Sequence, residues 1–302
     1  MKTNSFKAWV LAARPKTLTG AVIPVLVGTS LAMAEDSFRL WPALCCLLFA
    51  CGMQVVANFV NDLYDFLKGT DRADRLGPER ACAQGWITPQ AMRRGIWVAI
   101  AFSCLAGCGL LFQAAELPWR GGELVLLGLL CVLFAFLYTT RLSYLGWGDV
   151  LVLVFFGLVP VGGTYYVQTY QLTADALVAG VVCGLLIDTL LVVNNYRDRE
   201  QDAVSGKRTL VVRWGERFGQ RFYLSLGIAV FAGSAWLVRG SGFYIQQMGL
   251  FYLMLHLRTS DKMVTIRSGK KLNSILGETS RNMLLMGLLL SAMILLAAEQ
   301  AA

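Results

Sequence analysis

Mostly apolar runs recur along the chain at about the 17–25 residues an α-helix needs to cross a bilayer's hydrocarbon core. They occupy roughly 18–34, 41–64, 92–113, 122–138, 149–167, 175–197, 220–238, 242–257 and 282–298. Inside lipid every backbone polar group must be satisfied within the protein, so only helices and closed barrels span. Runs this long exceed the ~9–11 residues of a barrel strand. The expectation is therefore an all-α polytopic membrane protein of about nine transmembrane helices, with residues 1–302 forming a single transmembrane domain. Composition agrees: 56% of the 302 residues are hydrophobic and 15% are charged, against about 25% charged in soluble domains. The first apolar run has no small-residue cleavage site and reads as a retained helix.

The chain carries a net charge of +8, yet its distribution argues for topology and against nucleic acid. On the span assignment above, all of the 27 Lys and Arg residues except Arg39, Arg120 and Arg239 fall on one side. Such asymmetry marks the cytoplasmic side, which puts the N-terminus in the cytoplasm. The basic excess also suits anionic lipid or substrate. Residues 1–17 read as an amphipathic lead-in, with Phe6, Trp9, Val10 and Leu11 toward lipid and Lys2, Lys7, Arg14 and Lys16 toward headgroups. Arg14 and Lys16 are interfacial anchors or, alternatively, substrate contacts.

Two polar stretches interrupt this pattern. In the first, Asn58, Asn61, Asp62 and Asp65 share one helix face, extended back into the apolar run by Gln54; Asp71 and Asp74 follow the helix-ending Gly69. In the second, Asn194, Asp198 and Asp202 are spaced i, i+4, i+8 on another face, with Asp188 upstream in the apolar run. A solvated helix end with mixed charges does not explain polar groups continuing into membrane depth, where they are costly and mark function. Both clusters fall on the basic, cytoplasmic side, four spans apart, which is compatible with two parallel half-repeats. Hard oxygen donors suit Mg²⁺, which binds through one or two carboxylates plus substrate phosphates.

Other features are weaker. Arg141, alone among basic residues in its loop, either grips an anion or is a topological charge, and Asp149 reads as a helix N-cap. Thr88 with Pro89 marks a helix start, and Pro160 with Gly162 and Gly163 marks a kink or close helix approach. Gly206-Lys207-Arg208-Thr209 is a basic turn suited to phosphate oxygens, but no strand or upstream glycine supports a nucleotide-binding P-loop. The eight cysteines form no CxxC pair and read as packing residues. The one histidine, His256, reads as a packed interfacial residue.

Asn61-Asp62-x-x-Asp65 with Asp71, and Asp198-x-x-x-Asp202, resemble the two aspartate-rich motifs of the UbiA superfamily of membrane prenyltransferases. ARPKTL (13–18), NDLYDFLKGTDRADRLGPERA (61–81), GWITPQ (85–90), FFGLVPVGGTYYVQT (155–169) and NNYRDREQDAVSGKRTLVVRWG (194–215) are similar to its 1,4-dihydroxy-2-naphthoate polyprenyltransferase (MenA-type) branch. Many superfamily members have an aspartate where Gly69 stands; here the acid is displaced to Asp71, as in that branch. The resemblance implies helices around a central cavity open to lipid, with the active site facing the cytoplasm. It implies transfer of a polyprenyl group from an allylic diphosphate to 1,4-dihydroxy-2-naphthoate with loss of carbon dioxide, giving demethylmenaquinol for menaquinone biosynthesis. Asp62, Asp65, Asp71, Asp198 and Asp202 are the implied Mg²⁺ ligands. Asn58, Asn61, Arg141, Asn194, Lys207 and Arg208 are the implied diphosphate contacts. Tyr64, Tyr138 and Tyr196 are candidates to stabilise the allylic cation through their ring faces. A different acceptor (4-hydroxybenzoate, homogentisate or a chlorophyllide-like ring), a phytyl donor and, from another class, a lipid or metabolite transporter stand as alternatives.

Overall fold

The computed structural model describes residues 1–69 and 75–301. All its regular elements are helical. A short amphipathic helix, α1 (Phe6–Ala13), is N-capped by Ser5, whose hydroxyl accepts from the Ala8 N–H. It turns through Pro15–Thr17 into α2 (Thr19–Ala34). Then follow α3 (Leu40–Leu67), α4 (Pro89–Cys108), α5 (Gly122–Leu137), α6 (Gly148–Val152), α7 (Val159–Thr169) and α8 (Ala174–Val204). The chain closes with α9 (Leu210–Trp214), α10 (Glu216–Leu237), α11 (Phe243–Gln247), α12 (Gly249–Ile266) and α13 (Leu272–Ala301).

The nine expected spans all fall on helix, but the count of nine is not confirmed. Among the described residues six helices are long and apolar enough to cross a membrane, and the pair Phe6–Thr17 and Thr19–Ala34, bent by 48°, makes at most a seventh. The shortfall lies at α10 and α12. The first opens with Glu216, Arg217 and Arg221, and the second carries Arg258, Asp261 and Lys262, which lower their mean hydropathy. The stretch expected as one span at 242–257 is also divided at Met248 between α11 and α12.

Helix α8 is the hub. It packs against α2, α7, α10 and α13, and 67% of its apolar window is buried, against 11% for the peripheral α5. It also packs against the wide π-helical segment Leu153–Leu158 between α6 and α7. Pro160 lacks an N–H and its ring crowds the carbonyl four residues back, so the preceding turn widens into a π segment; this is the form the expected kink takes. The crossing depends on small residues: a Cβ on Gly157 would stand 2.3 Å from the Gly180 carbonyl oxygen and 2.7 Å from Gly184 Cα. Gly180 and Gly184, four apart on α8, thus let two backbones approach as small-residue pairs do in membranes.

The Thr88 N-cap is realised, its hydroxyl accepting from the Ala91 N–H at 3.3 Å. Asp149 makes no such cap: the N-cap position of α6 is Trp147, and Asp149 is buried in the first turn. His256 is 1% exposed and stacks on Tyr223 with ring centroids 4.4 Å apart, as a packed residue does.

Candidate active site

The first acidic motif occupies the last three turns of α3. Its residues point in several directions. Asn58 turns toward the α1–α2 linker, donating to the Ala13 carbonyl at 2.9 Å and the Thr17 hydroxyl at 3.0 Å. Asp62 is 1% exposed, and its two oxygens accept from the backbone N–H groups of Ala81 (2.9 Å) and Cys82 (2.8 Å). It folds the loop after α3 back onto the helix. Arg80 from that loop is itself buried; its Nη2 donates to Asn61 at 3.0 Å and lies 3.5 Å from Asp65.

The second motif ends α8. Arg197, 2% exposed, is its organiser. The guanidinium holds both oxygens of Asp198 at 2.7 and 2.6 Å, the Asn194 side-chain carbonyl at 2.8 Å and that of Asn273 on α13 at 2.9 Å. Asn273 in turn donates to the Leu76 carbonyl at 2.9 Å, and Gly77 lies against the same guanidinium. One buried cation therefore ties the second motif to the loop that follows the first.

The two motifs meet again through three loop residues. Lys68, at the end of α3, donates to the Thr140 carbonyl at 2.8 Å and stands 4.0 Å over the Tyr144 ring. Lys207 stands 5.5 Å from the same ring and 3.8 Å from Asp202. Burial would depress the Lys207 ammonium, but Asp65, Asp202 and Tyr144 outweigh it and hold the group above its ordinary value. Lys68 goes the other way, lowered by burial and by Lys207 despite Asp65. The loops are locked together by the Arg208 N–H, which donates to the Tyr144 carbonyl, and by Arg213 Nη2, which donates to the Leu145 carbonyl. Gly146 is required here: its φ is +80°, and a Cβ would stand 2.5 Å from the Arg208 carbonyl.

Of the expected site residues, the fold brings Asp65, Asp202 and Lys207 into one electrostatic neighbourhood. Asp198 also acts on Asp202, and Tyr138 is within reach of Asp65 and Asp202. Tyr64 meets Phe136 edge-on. Arg141 and Arg208 are exposed at the rim. Tyr196 is not brought to the carboxylates. Two residues beyond Asn194 it lies about 200° around the helix, fully buried among Val211, Tyr223 and Leu226, with its hydroxyl on Glu216 and Gln220. Asp71 and Asp74 lie outside the described residues. Sequence reasoning missed Lys68, Arg80, Tyr144 and Arg197 as site residues. For Arg197 a signal existed: an arginine inside an Asn-Asn-x-Arg-Asp run cannot sit buried in an acidic face without pairing.

Among the described residues no three His, Cys, Asp or Glu side chains form a ready-made cation cage. Asp65, Asp198 and Asp202 offer hard oxygens beside lysines, and an Asp198 carboxylate paired with Arg197 still has free lone pairs. This donor set fits Mg²⁺ completed by phosphate oxygens.

The chain falls in the class of all-helical integral membrane proteins, with two Asn/Asp motifs and flanking lysines gathered at one end of its bundle. The UbiA prenyltransferase family is matched over residues 21–288, and the chain belongs to that family of prenyl-moving transferases. The 1,4-dihydroxy-2-naphthoate octaprenyltransferase of Escherichia coli K12 is 38% identical over 73% of this chain and 72% of its own. The protein of the same name from Mycobacterium tuberculosis is 34% identical over 94% and 95%. A UbiA homolog from Archaeoglobus fulgidus, solved bound to GPP and Mg²⁺, shares the fold with a TM-score of 0.66 at 15% identity, over 95% of this chain and 99% of that one. The apo UbiA homolog from Aeropyrum pernix K1 gives 0.67 at 15%, over 93% and 98%.

Proposed function

We propose that this chain, as one transmembrane prenyltransferase domain, transfers a polyprenyl group from an allylic diphosphate to 1,4-dihydroxy-2-naphthoate with decarboxylation, yielding demethylmenaquinol. The observation that carries this reading is the convergence of Asp65, Asp202, Lys68 and Lys207 around Tyr144, where the two acidic motifs meet. The names of the relatives supply the acceptor.

Asp65, Asp198 and Asp202 are the residues to hold Mg²⁺, with Asp71 beside them in sequence. When bound, the ion neutralises charge on the diphosphate as it leaves. Lys68 and Lys207 bind the remaining oxygens as fixed cations, and Arg141 and Arg208 at the rim, with Asn61 and Asn194, complete the polar lining. Fixed charges aimed at the departing diphosphate stabilise the transition state more than the ground state. Tyr138 offers a ring face to the allylic cation. Asp62 and Asn58 shape the site from behind, one through the 80–82 turn and the other through the α1–α2 linker. The electron-rich ring carbon bearing the carboxylate attacks the allylic carbon. Carbon dioxide then departs, leaving its bonding electrons to restore the aromatic ring. The asymmetry of basic residues supports an N-terminus and a site on the cytoplasmic side. The prenyl tail runs among helices and membrane lipid, and the basic surface serves these anions, not nucleic acid.

The test is prenyl transfer by the purified chain in lipid with Mg²⁺ and a polyprenyl diphosphate. Dihydroxynaphthoate and 4-hydroxybenzoate are supplied in parallel, with an EDTA control. Metal-dependent prenylated naphthoquinol from the first acceptor alone is the expected result. Product only from 4-hydroxybenzoate overturns the acceptor, and no product from either overturns the reaction.

A further inference from the structure

A groove of about 800 Å³ lies between α1, α3 and α4, a volume within the range of small-molecule sites. On α3 its wall is the face of Val55 and Phe59, which Asp62 continues one turn on, its carboxylate there engaged by the Ala81 and Cys82 N–H groups. Val55 and Phe59 face it, whereas Asn58 faces the α1–α2 linker. Its walls are continued on α4 by Val98, Ala99 and Phe102; Val98 is 69% exposed and Phe102 51%. Polarity is confined to one end, where Asn4, Thr88, Gln90 and Arg94 form the rim. That end is the one carrying the two acidic motifs, because the Asp62 loop runs directly into Thr88. The groove therefore has the profile of an amphiphile, with a head at the membrane edge and a chain running inward.

Charge fixes the sign of the head. Neither 1–34 nor 80–115 contains a single Asp or Glu, while Lys2, Lys7, Arg93 and Arg94 cluster around the rim in sequence. A basic border at the headgroup level attracts anionic lipid. The covering helix is pinned in place: the Asn4 side-chain carbonyl accepts from the Thr88 N–H at 3.1 Å, and Trp9 packs on Phe59 with ring centroids 5.4 Å apart. The same helix ends at Ala13, whose carbonyl holds Asn58. What fills the groove thus bears, through α1, on the edge of the acidic motif.

We propose that this groove is a binding site for an anionic membrane phospholipid, its phosphate at Arg94 and Thr88 and one acyl chain along Val55, Phe59, Ala99 and Phe102. The site holds lipid as a resident component, and none of the residues that converge at Tyr144 lines it.

The full chain is reconstituted in nanodiscs of equal parts phosphatidylcholine and phosphatidylglycerol, re-extracted in mild detergent, and the lipid retained per protein is read by native mass spectrometry. One retained phosphatidylglycerol, preferred roughly fivefold or more over phosphatidylcholine, is expected, since each cation at a membrane surface counts for that order. Arg94→Glu removes the preference, and the milder Arg94→Gln reduces it. Ala99→Phe fills the groove and lowers retention of both lipids. Thermal unfolding checks that the variants are folded. Equal retention of the two lipids by the unaltered chain, or a preference unchanged in both Arg94 variants, overturns the proposal. So does retention of a prenylated quinone or a second protein copy in place of phospholipid. None of these readouts depends on turnover.

Discussion

Arg197 holds its own neighbour, Asp198, through two parallel hydrogen bonds of 2.7 and 2.6 Å while reaching Asn273 on the last helix. The pair is nearly dry on one side, with the arginine side chain 1% exposed and the aspartate 15%. A planar guanidinium can meet a carboxylate in this forked way, and an ammonium cannot. The motif's first acid is therefore aimed by a partner the motif itself contains.

Replacing Arg197 with Lys keeps the charge but loses the fork. Turnover is expected to fall roughly 10- to 100-fold, the usual effect of removing an orienting partner of a ligand. Arg197→Met leaves the carboxylate buried without its cation and is expected to cost about 3–5 kcal/mol of stability. Thermal unfolding of the purified variants beside steady-state kinetics separates the two.

Asp62 and Asp65, though three residues apart, are expected to fail differently. Asp62→Asn sets a side-chain N–H₂ or a single carbonyl against two backbone donors and should destabilise the protein by about 1–3 kcal/mol. Asp65→Asn weakens the ion pair with buried Arg80 but leaves the 80–82 turn held by Asp62, and should abolish measurable turnover in the protein that remains folded. An Asp62→Asn protein as stable as the parent would remove the loop-holding role.

Lys68→Met and Lys207→Met are expected to raise the KM for the prenyl diphosphate at least tenfold, with the KM for the aromatic acceptor little changed. Equal effects on both substrates would take the lysines off the diphosphate.

Gly157→Ala and Gly277→Ala make a matched pair. The first drives a methyl into the Gly180 carbonyl and should cost about 1–3 kcal/mol. The second has open space around it and, in a helix interior, should stabilise by about 0.5–1 kcal/mol. Melting temperatures in detergent distinguish them.

Metal removal should silence the enzyme without unfolding it. With EDTA, prenyl transfer is expected to stop while the melting temperature shifts little, because Arg197, Arg80 and the lysines already neutralise the carboxylates. A large loss of stability would point to a structural ion instead.

Helices and motifs were legible in the sequence because period and apolar length are local properties. The Thr88 cap and the site of the Pro160 distortion follow from chemistry within a few residues. What each polar group touches was not legible. Asp62 and Asp65 share a helix and a residue type, yet one is consumed by a loop 19 residues on and the other is left beside the lysines. Tyr196 looked well placed by proximity to Asp198 and is turned away by helical geometry. Asp149 looked like a cap, but α6 begins at Gly148, two residues earlier than such a cap requires, and buries the side chain. Lys68 is an ordinary helix-end cation until Tyr144, 76 residues later, folds beneath it.

Asn273 joins α13 to Arg197, and through Leu76 to the loop that follows the first motif. Synthesis runs from the N-terminus, so every acidic residue of the site is already in the membrane before that contact exists. A nascent chain halted before residue 272 has both motifs and the residues that meet at Tyr144, but it lacks the Asn273 bridge from Arg197 to the loop after the first motif. The final tie between the second motif and the loop after the first thus arrives late, with the closing helix.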